Sequence, residues 1–174
     1  MTTLEQSVFS VSLPVCIRVA TSEDIPRLEW YGQYAHYRNL FRRAYRDQQL
    51  GTRLILVADC NGFPIAHIFI LFMDDEQGNK QAYFYSLRVM EMFRSQGIGR
   101  NLIMEAEARV LARGYSYATI AAAKTNHAAR HLYEHLGYEI FMEDRGEWSY
   151  TDHLGKVRHV KEPCWLLQKT IFMR

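Results

Sequence analysis

Between Gln81 and Ala123 the hydrophobic period changes twice, and this constrains the fold more than any other feature of the chain. QAYFYSLRV, from Gln81 to Val89, is rich in branched and aromatic residues and reads as a strand. After Gly97, Leu102, Ile103, Ala106 and Val110 recur at helical spacing, and Gly114 supplies a stop. SYATIAAA, from Ser116 to Ala123, comes after a short turn and reads as another strand. Strand, helix and strand in this order form a β-α-β unit, whose two strands lie parallel. The chain must therefore be α/β.

The flanking segments fill in the order of elements. CIRVA reads as a short strand, and TSEDIPRLEW as a helix start with Thr21 or Ser22 as cap. A second helix is expected from Tyr37 to Gln49, stopping near Gly51. TRLILVAD and PIAHIFILFM are apolar strands joined by Asn61-Gly62, a strong hairpin signal. DDEQGNK, from Asp74 to Lys80, reads as the turn into QAYFYSLRV. A further helix carries Ala129, Leu132, Tyr133 and Leu136 on one face and ends at Gly137. YEIFMEDRGEWSYT and VRHVKEPCWLLQKT read as two closing strands joined at Asp152–Gly155. Residues 1–14 are expected to be an N-terminal extension and residues 15–174 the single domain.

Composition narrows the functional classes. A formal charge of +2 over 174 residues does not by itself imply a nucleic-acid partner. Arg38, Arg42, Arg43 and Arg46 cluster on one expected helix, where a solvated face is the ordinary reading. Cys16, Cys60 and Cys164 are far apart and lack metal-ligand spacing, so no metal site or disulfide framework is expected. With no signal-like start and no apolar run long enough to span a bilayer, a cytoplasmic protein without a membrane partner is expected.

FRSQGIGRNL, from Phe93 to Leu102, joins the first strand of the β-α-β unit to its helix. Backbone N–H groups at a helix start have no intrahelical partner, and the helix dipole adds positive potential, so such a loop suits a phosphate. A Walker loop is excluded because no Lys-Ser or Lys-Thr comes next. A dinucleotide fingerprint is excluded because Leu102 stands at its third glycine and the loop comes after the fourth expected strand.

LRVMEMFRSQGIGRNL resembles the coenzyme A segment of the GNAT superfamily of N-acetyltransferases, an Arg/Gln-x-x-Gly-x-Gly/Ala loop after a central strand. Arg94, Gly97 and Gly99 match it. NHAARHLYEHLGYE resembles the later family segment, with Asn126, Tyr133, Gly137 and Tyr138 in order and spacing. The resemblance implies a GNAT fold, a mixed and mostly antiparallel central sheet of about six or seven strands flanked by helices. It implies acetyl-CoA as cosubstrate and a primary amine as acceptor. Leu87 and Val89 would hold the pantetheine arm. Arg94, Ser95, Gln96, Gly97, Ile98, Gly99 and Arg100 would take the pyrophosphate, and Asn126 would fix the arm from the far side. The Val89 backbone N–H would stabilise the oxyanion of a tetrahedral intermediate, and Tyr133 would act as general acid toward the leaving thiolate.

A catalytic base is not evident. Tyr83 stands where some relatives carry a glutamate, and IAAAK offers no carboxylate either. Glu29, Glu91, Asp152 and Glu162, or a water chain beside Tyr85, are the open choices. Glu29 and Tyr85 are expected to line the acceptor site, with an aromatic wall drawn from Trp30, Tyr31, Tyr34, Tyr37, Trp148, Tyr150 and Trp165. A protein lysine, a protein N-terminus, a polyamine and an antibiotic amine all remain open as acceptors. The missing base leaves a non-catalytic acyl-CoA-binding regulatory module as the alternative. The apolar run CWLLQKTIF, if it forms an exposed edge, predicts a homodimer.

Overall fold

A computed structural model describes residues 7–74 and 78–172 of the chain, so part of the turn expected at 74–80 lies outside the described residues. The elements run β1 (Cys16–Val19), α1 (Asp24–Arg27), α2 (Arg38–Gln49), β2 (Arg53–Cys60), β3 (Phe63–Asp74), β4 (Lys80–Val89) and α3 (Ile98–Ala112). They continue with β5 (Tyr117–Ala123), α4 (His127–His135), β6 (Glu139–Asp144), β7 (Glu147–Thr151), β8 (Val157–Lys161) and β9 (Cys164–Thr170). The seven-stranded sheet has the order β1-β2-β3-β4-β5-β9-β6, and β7 and β8 form a separate two-stranded ribbon. Among the described residues only β4 and β5 pair in parallel, as the β-α-β reading requires.

Each face of the large sheet buries its own cluster. On one side Phe84, Ile68, Ile70 and Ile120 pack against Leu102, Ile103 and Val110 of α3. On the other, Ile55, Val57 and Phe69 pack against Leu28, Phe41 and Ala44 of the first two helices. Each fully buried large apolar side chain contributes about 1.5–3 kcal/mol relative to exposure. Across the middle of β3 the side chains alternate, Ile68 and Ile70 serving one cluster and Phe69 the other. A buried pair, Glu107 with Lys169 at 2.7 Å, ties α3 to β9, and the Tyr138 hydroxyl donates to the same carboxylate at 3.0 Å.

Local details depart from the sequence reading. The first helix begins at Asp24 and lacks the expected Thr21 or Ser22 cap bond. Instead the Asp24 carboxylate accepts from the Thr21 backbone at 2.8 Å and from Arg18 at 2.6 and 2.9 Å. The two expected closing strands are four. A Cβ on Gly146 would lie 1.8 Å from the Glu162 carbonyl oxygen, so the two antiparallel backbones approach closely where β6 gives way to β7. Pro163 breaks the partner strand beside that close approach, because proline cannot donate to a ladder. The C-terminal run is corrected as well. β9 is paired on both sides, by β5 and β6, so it is not an exposed edge and gives no basis for a dimer.

The β7–β8 hairpin is organised by Asp152, whose side chain is 1% exposed. Its carboxylate accepts from the Leu154 and Lys156 amides at 2.9 Å each and from Arg158 at 2.7 Å. Asn39 of α2 donates to the Asp152 carbonyl at 2.8 Å, docking the turn on the helix. The Lys156 amide comes first in holding this carboxyl down to about 2, against burial, with Arg158 and the Leu154 amide after it. A depressed carboxyl stabilises the fold above its unfolded value of about 3.9, and that contribution is lost as pH falls toward 2. Asp152→Ala is expected to raise amide exchange at Leu154 and Lys156 by ~10-fold or more while leaving the α3 amides protected. Unchanged exchange in the hairpin would contradict this role.

Candidate active site

The parallel ladder between β4 and β5 ends at Phe84↔Ile120. Beyond it β5 stays bonded to β9 through Ala123↔Cys164, while β4 runs on to Val89 held only by β3. A bulge accompanies the parting. Tyr85 and Arg88 oppose Phe69 and His67, so Ser86 and Leu87 share the single partner position of Ile68. Ser86 has a left-handed φ of 54°, and such a bulge bends the strand and re-aims its last residues. Leu87 and Val89 then pack toward the α3 cluster.

The backbone direction at the end of β4 is set by one bond. The Met90 N–H donates to the Ile65 carbonyl in β3 at 2.9 Å. Neighbouring residues of a strand point their polar groups to opposite sides, so the Val89 N–H and C=O face the opening left by β5. The Val89 carbonyl accepts from Arg94 Nε at 3.1 Å, which draws the glycine loop against the strand end. By the same alternation Leu87 also faces the opening.

The loop runs directly into α3. Ser95 and Gly97 both have left-handed φ, 60° and 81°. Gly97 is the N-cap and offers no side-chain cap, so the first helical N–H groups stay open to a ligand. Ser95, Gln96, Gly97 and Arg100 are exposed, while Ile98 packs on the core. A Cβ built on Gly99 would sit 3.6 Å from Leu132, 3.8 Å from Val89 and 3.9 Å from Leu87, which places the helix start, the strand end and α4 together.

Tyr133 stands next to Leu132 on α4 and is 5% exposed. Its hydroxyl has no hydrogen-bond partner among the described residues. Sealed, unpartnered side-chain atoms among the described residues are confined to the His67 ring nitrogens, so the Tyr133 oxygen keeps contact with open space. Burial pushes its pKa well up, and Tyr83 adds to the shift. Tyr83 is itself pushed up to about 12, mainly by burial. Both phenols therefore stay neutral near pH 7. Asn126 proves to be the α4 N-cap, its side chain accepting from the Ala129 amide at 3.0 Å.

The carboxylates singled out from the sequence are committed elsewhere or exposed. Arg38 donates to both oxygens of Glu29 at 2.6 and 2.8 Å and, as the largest cause, lowers its pKa. Glu29 lines a groove with Ser22, Pro26, Arg42 and Arg46. Asp152 holds its hairpin, and Glu91 and Glu162 are exposed. Tyr85 stacks on Tyr83 at 5.7 Å and packs edge-on to Phe69 at 5.5 Å.

The aromatic wall divides. Trp30 is core, its indole donating to the Pro64 carbonyl at 2.8 Å, and Trp165 lies beneath Lys124 and Arg130. Tyr34, Tyr37, Trp148 and Tyr150 do come together, with Tyr37 5.1 Å from Tyr150 and 6.2 Å from Tyr34. Sequence reasoning missed Arg88, which lies 4.9 Å over both Tyr34 and Tyr37. Its position in an apolar strand, beside Val89, was the available signal. Among the described residues no group of histidine, cysteine and carboxylate side chains could hold a metal ion, and no helix is long and apolar enough to cross a membrane.

Comparison with known proteins agrees with the fold. No curated protein matches the chain in sequence. The ribosomal-protein-S18-alanine N-acetyltransferase of Escherichia coli superposes with a TM-score of 0.66 at 20% identity, over 92% of this chain and 96% of that one. Arabidopsis thaliana NAA60, solved with acetyl-CoA, gives 0.70 at 17% identity, over 91% and 99%. Arabidopsis thaliana Naa50, solved with the bisubstrate analogue CoA-Ac-MVNAL, gives 0.67 at 17%, over 90% and 98%. At such identities these likenesses speak to the fold. The sequence pattern of the acetyltransferase (GNAT) family, in contrast, matches residues 20–138, and the chain belongs to that family.

Proposed function

We propose that this acetyl-CoA-dependent N-acetyltransferase holds its cosubstrate along the open edge of β4 and passes the acetyl group to a primary amine at Val89. The observation that carries this reading is the unpaired stretch of β4 beside both the glycine loop and α4. Amide groups of a pantetheine arm would pair with Leu87 and Val89 as an added strand would. The pyrophosphate would rest on the backbone from Ser95 to Arg100, with the Asn126 amide nitrogen on the opposite side.

The Val89 N–H is aimed into the opening, where it would meet the oxyanion formed when the amine attacks. Tyr133 would donate to the departing thiolate. Its raised pKa keeps it protonated, but also makes complete transfer to a thiolate of pKa about 8.5 uphill. Tyr133 therefore works by hydrogen bonding as charge develops on sulfur, while the proton finally gained by sulfur comes from the attacking amine. Among the described residues Tyr83 is the titratable group felt at Tyr133, and it is neutral. Water, rather than a carboxylate, would relay the amine proton toward sulfur.

Tyr133→Phe is expected to lower kcat by about 10²–10⁴-fold, the ordinary worth of a positioned proton donor. Thermal stability should hold, because the lost hydroxyl has no partner among the described residues. Turnover near that of the unaltered protein, with chemistry shown to limit the rate, would remove Tyr133 from the mechanism. The water route gives an independent expectation. The rising limb of kcat/KM against pH should move with the pKa of the acceptor amine across a series of amines. A limb fixed between about pH 4 and 6 for every amine would instead reveal a carboxylate base.

A further inference from the structure

Acetyl transfer at Val89 leaves Arg88 without a role. The bulge that sends Leu87 and Val89 toward α3 turns Arg88 to the opposite face, opposite His67 and against the segment preceding α2. Its guanidinium lies 4.9 Å from the ring centroids of Tyr34 and Tyr37. It donates to the Ser86 hydroxyl. Yet it makes no ion pair with a carboxylate among the described residues, whereas Arg18, Arg38, Arg53 and Arg158 each have one.

The surroundings sharpen the anomaly. Burial lowers the pKa of Arg88, partly offset by the phenols of Tyr37 and Tyr34. An arginine stays cationic regardless. Glu162 is the acid felt there, as the weakest influence, and it is exposed and unpaired with Arg88. His36 and His67 are both held below their ordinary values, first by burial and next by Arg88 itself. Among the described residues a partly desolvated cation thus sits among neutral rings, and the nearest buried carboxylate, Asp152, felt at His36 and Tyr150, is taken up by Arg158 and its own hairpin amides. Leaving such a charge unpaired is costly, and the planar fork of a guanidinium fits a carboxylate through two parallel bonds.

We propose that Arg88 binds the carboxylate of the acceptor, and that the amine acetylated by this enzyme belongs to a free amino acid. The inference rests on the acetyl-transfer reading and supplies its substrate class. Arg88 immediately precedes Val89 in the strand, so the carboxylate anchor springs from the residue next to the reacting centre. In an α-amino acid the amine and the carboxylate share one carbon, which suits that closeness. Beyond Tyr37, Trp148 (44% exposed) and Tyr150 offer an aromatic surface for the side chain of the amino acid. A polyamine would bring positive charge to Arg88, and a peptide N-terminus would bring an amide where the carboxylate should be.

The test compares thiol release from acetyl-CoA for the free L-amino acids and for their carboxamides, with spermidine and a C-terminally blocked peptide alongside. At least one amino acid should be acetylated with kcat/KM roughly 10- to 100-fold above its carboxamide, the worth of a charged hydrogen-bonded contact. Arg88→Gln should abolish that preference mainly through KM, and Arg88→Lys should restore part of it. A purely structural Arg88 predicts a lowered melting temperature with the preference intact. Equal use of acids and carboxamides, or transfer only to amines without a carboxylate, would overturn the assignment. Calorimetry with acetyl-CoA on the same preparations keeps the two readings apart. If binding and transfer to spermidine or peptide persist, only the carboxylate assignment falls; if acetyl-CoA fails to bind, the acetyl-transfer reading falls with it. Should Arg88→Gln fail to fold, the acid-against-carboxamide comparison on the unaltered enzyme decides alone.

Discussion

The parting of β4 from β5 after Phe84↔Ile120 is the constraint on which the rest of the site depends. Backbone N–H and C=O groups in a protein interior are nearly always paired, so a strand that loses its neighbour must find partners elsewhere. On the β5 side β9 supplies them, because it inserts between β5 and β6 and bonds as far as Cys164. On the β4 side no strand does among the described residues. The bulge at Ser86 bends β4 away, and Arg94 satisfies the Val89 carbonyl, while by strand alternation the Val89 N–H faces the opening. The opening is thus a gap of strand width that the Leu87 and Val89 backbones face, with the start of α3 and Leu132 of α4 beside it.

Electrostatics then divides the site in two. Toward α3 and α4 lie backbone amides, the Tyr133 phenol kept neutral by burial, and the Arg94 guanidinium on the Val89 carbonyl. The amides and the phenol suit a thioester, whose reaction generates charge that fixed dipoles can meet without rearranging. Toward α2 lies the cation Arg88 among aromatic rings. That face is closed by the β7–β8 hairpin, itself set by the Asp152 carboxylate and docked through Asn39. In the proposed reading, acetyl donor and amine acceptor approach from faces of different chemical character.

Much of this was legible in the residues. The change of period between Gln81 and Ala123 specified the parallel pair, and the glycine loop marked the start of α3 in the right place. Asn61-Gly62 predicted the β2–β3 hairpin, and both residues have left-handed φ. The C-terminal third was less legible for a physical reason. Its strands pair with residues distant in sequence, and β9 enters the middle of the sheet instead of continuing the meander. Nothing local distinguishes an interior strand from an edge when the apolar run is the same. The split at Gly146 and Pro163 likewise depends on a close approach of two backbones distant in sequence. Arg88 escaped notice because its meaning lies in a missing partner, which only packing reveals. Asn126 was singled out as a ligand contact, and the structure adds its role as a helix cap.

The central claim is that the cosubstrate completes the sheet at the end of β4. Amide hydrogen exchange resolved to single residues, with and without saturating coenzyme A, measures this directly. The Leu87 and Val89 amides and the first amides of α3 should slow by ~10-fold or more, since each gains an acceptor. The amides of Ala121–Ala123, in a stretch already laddered with β9, should change little. Coenzyme A binding that leaves Leu87 and Val89 exchange unaltered would contradict the account.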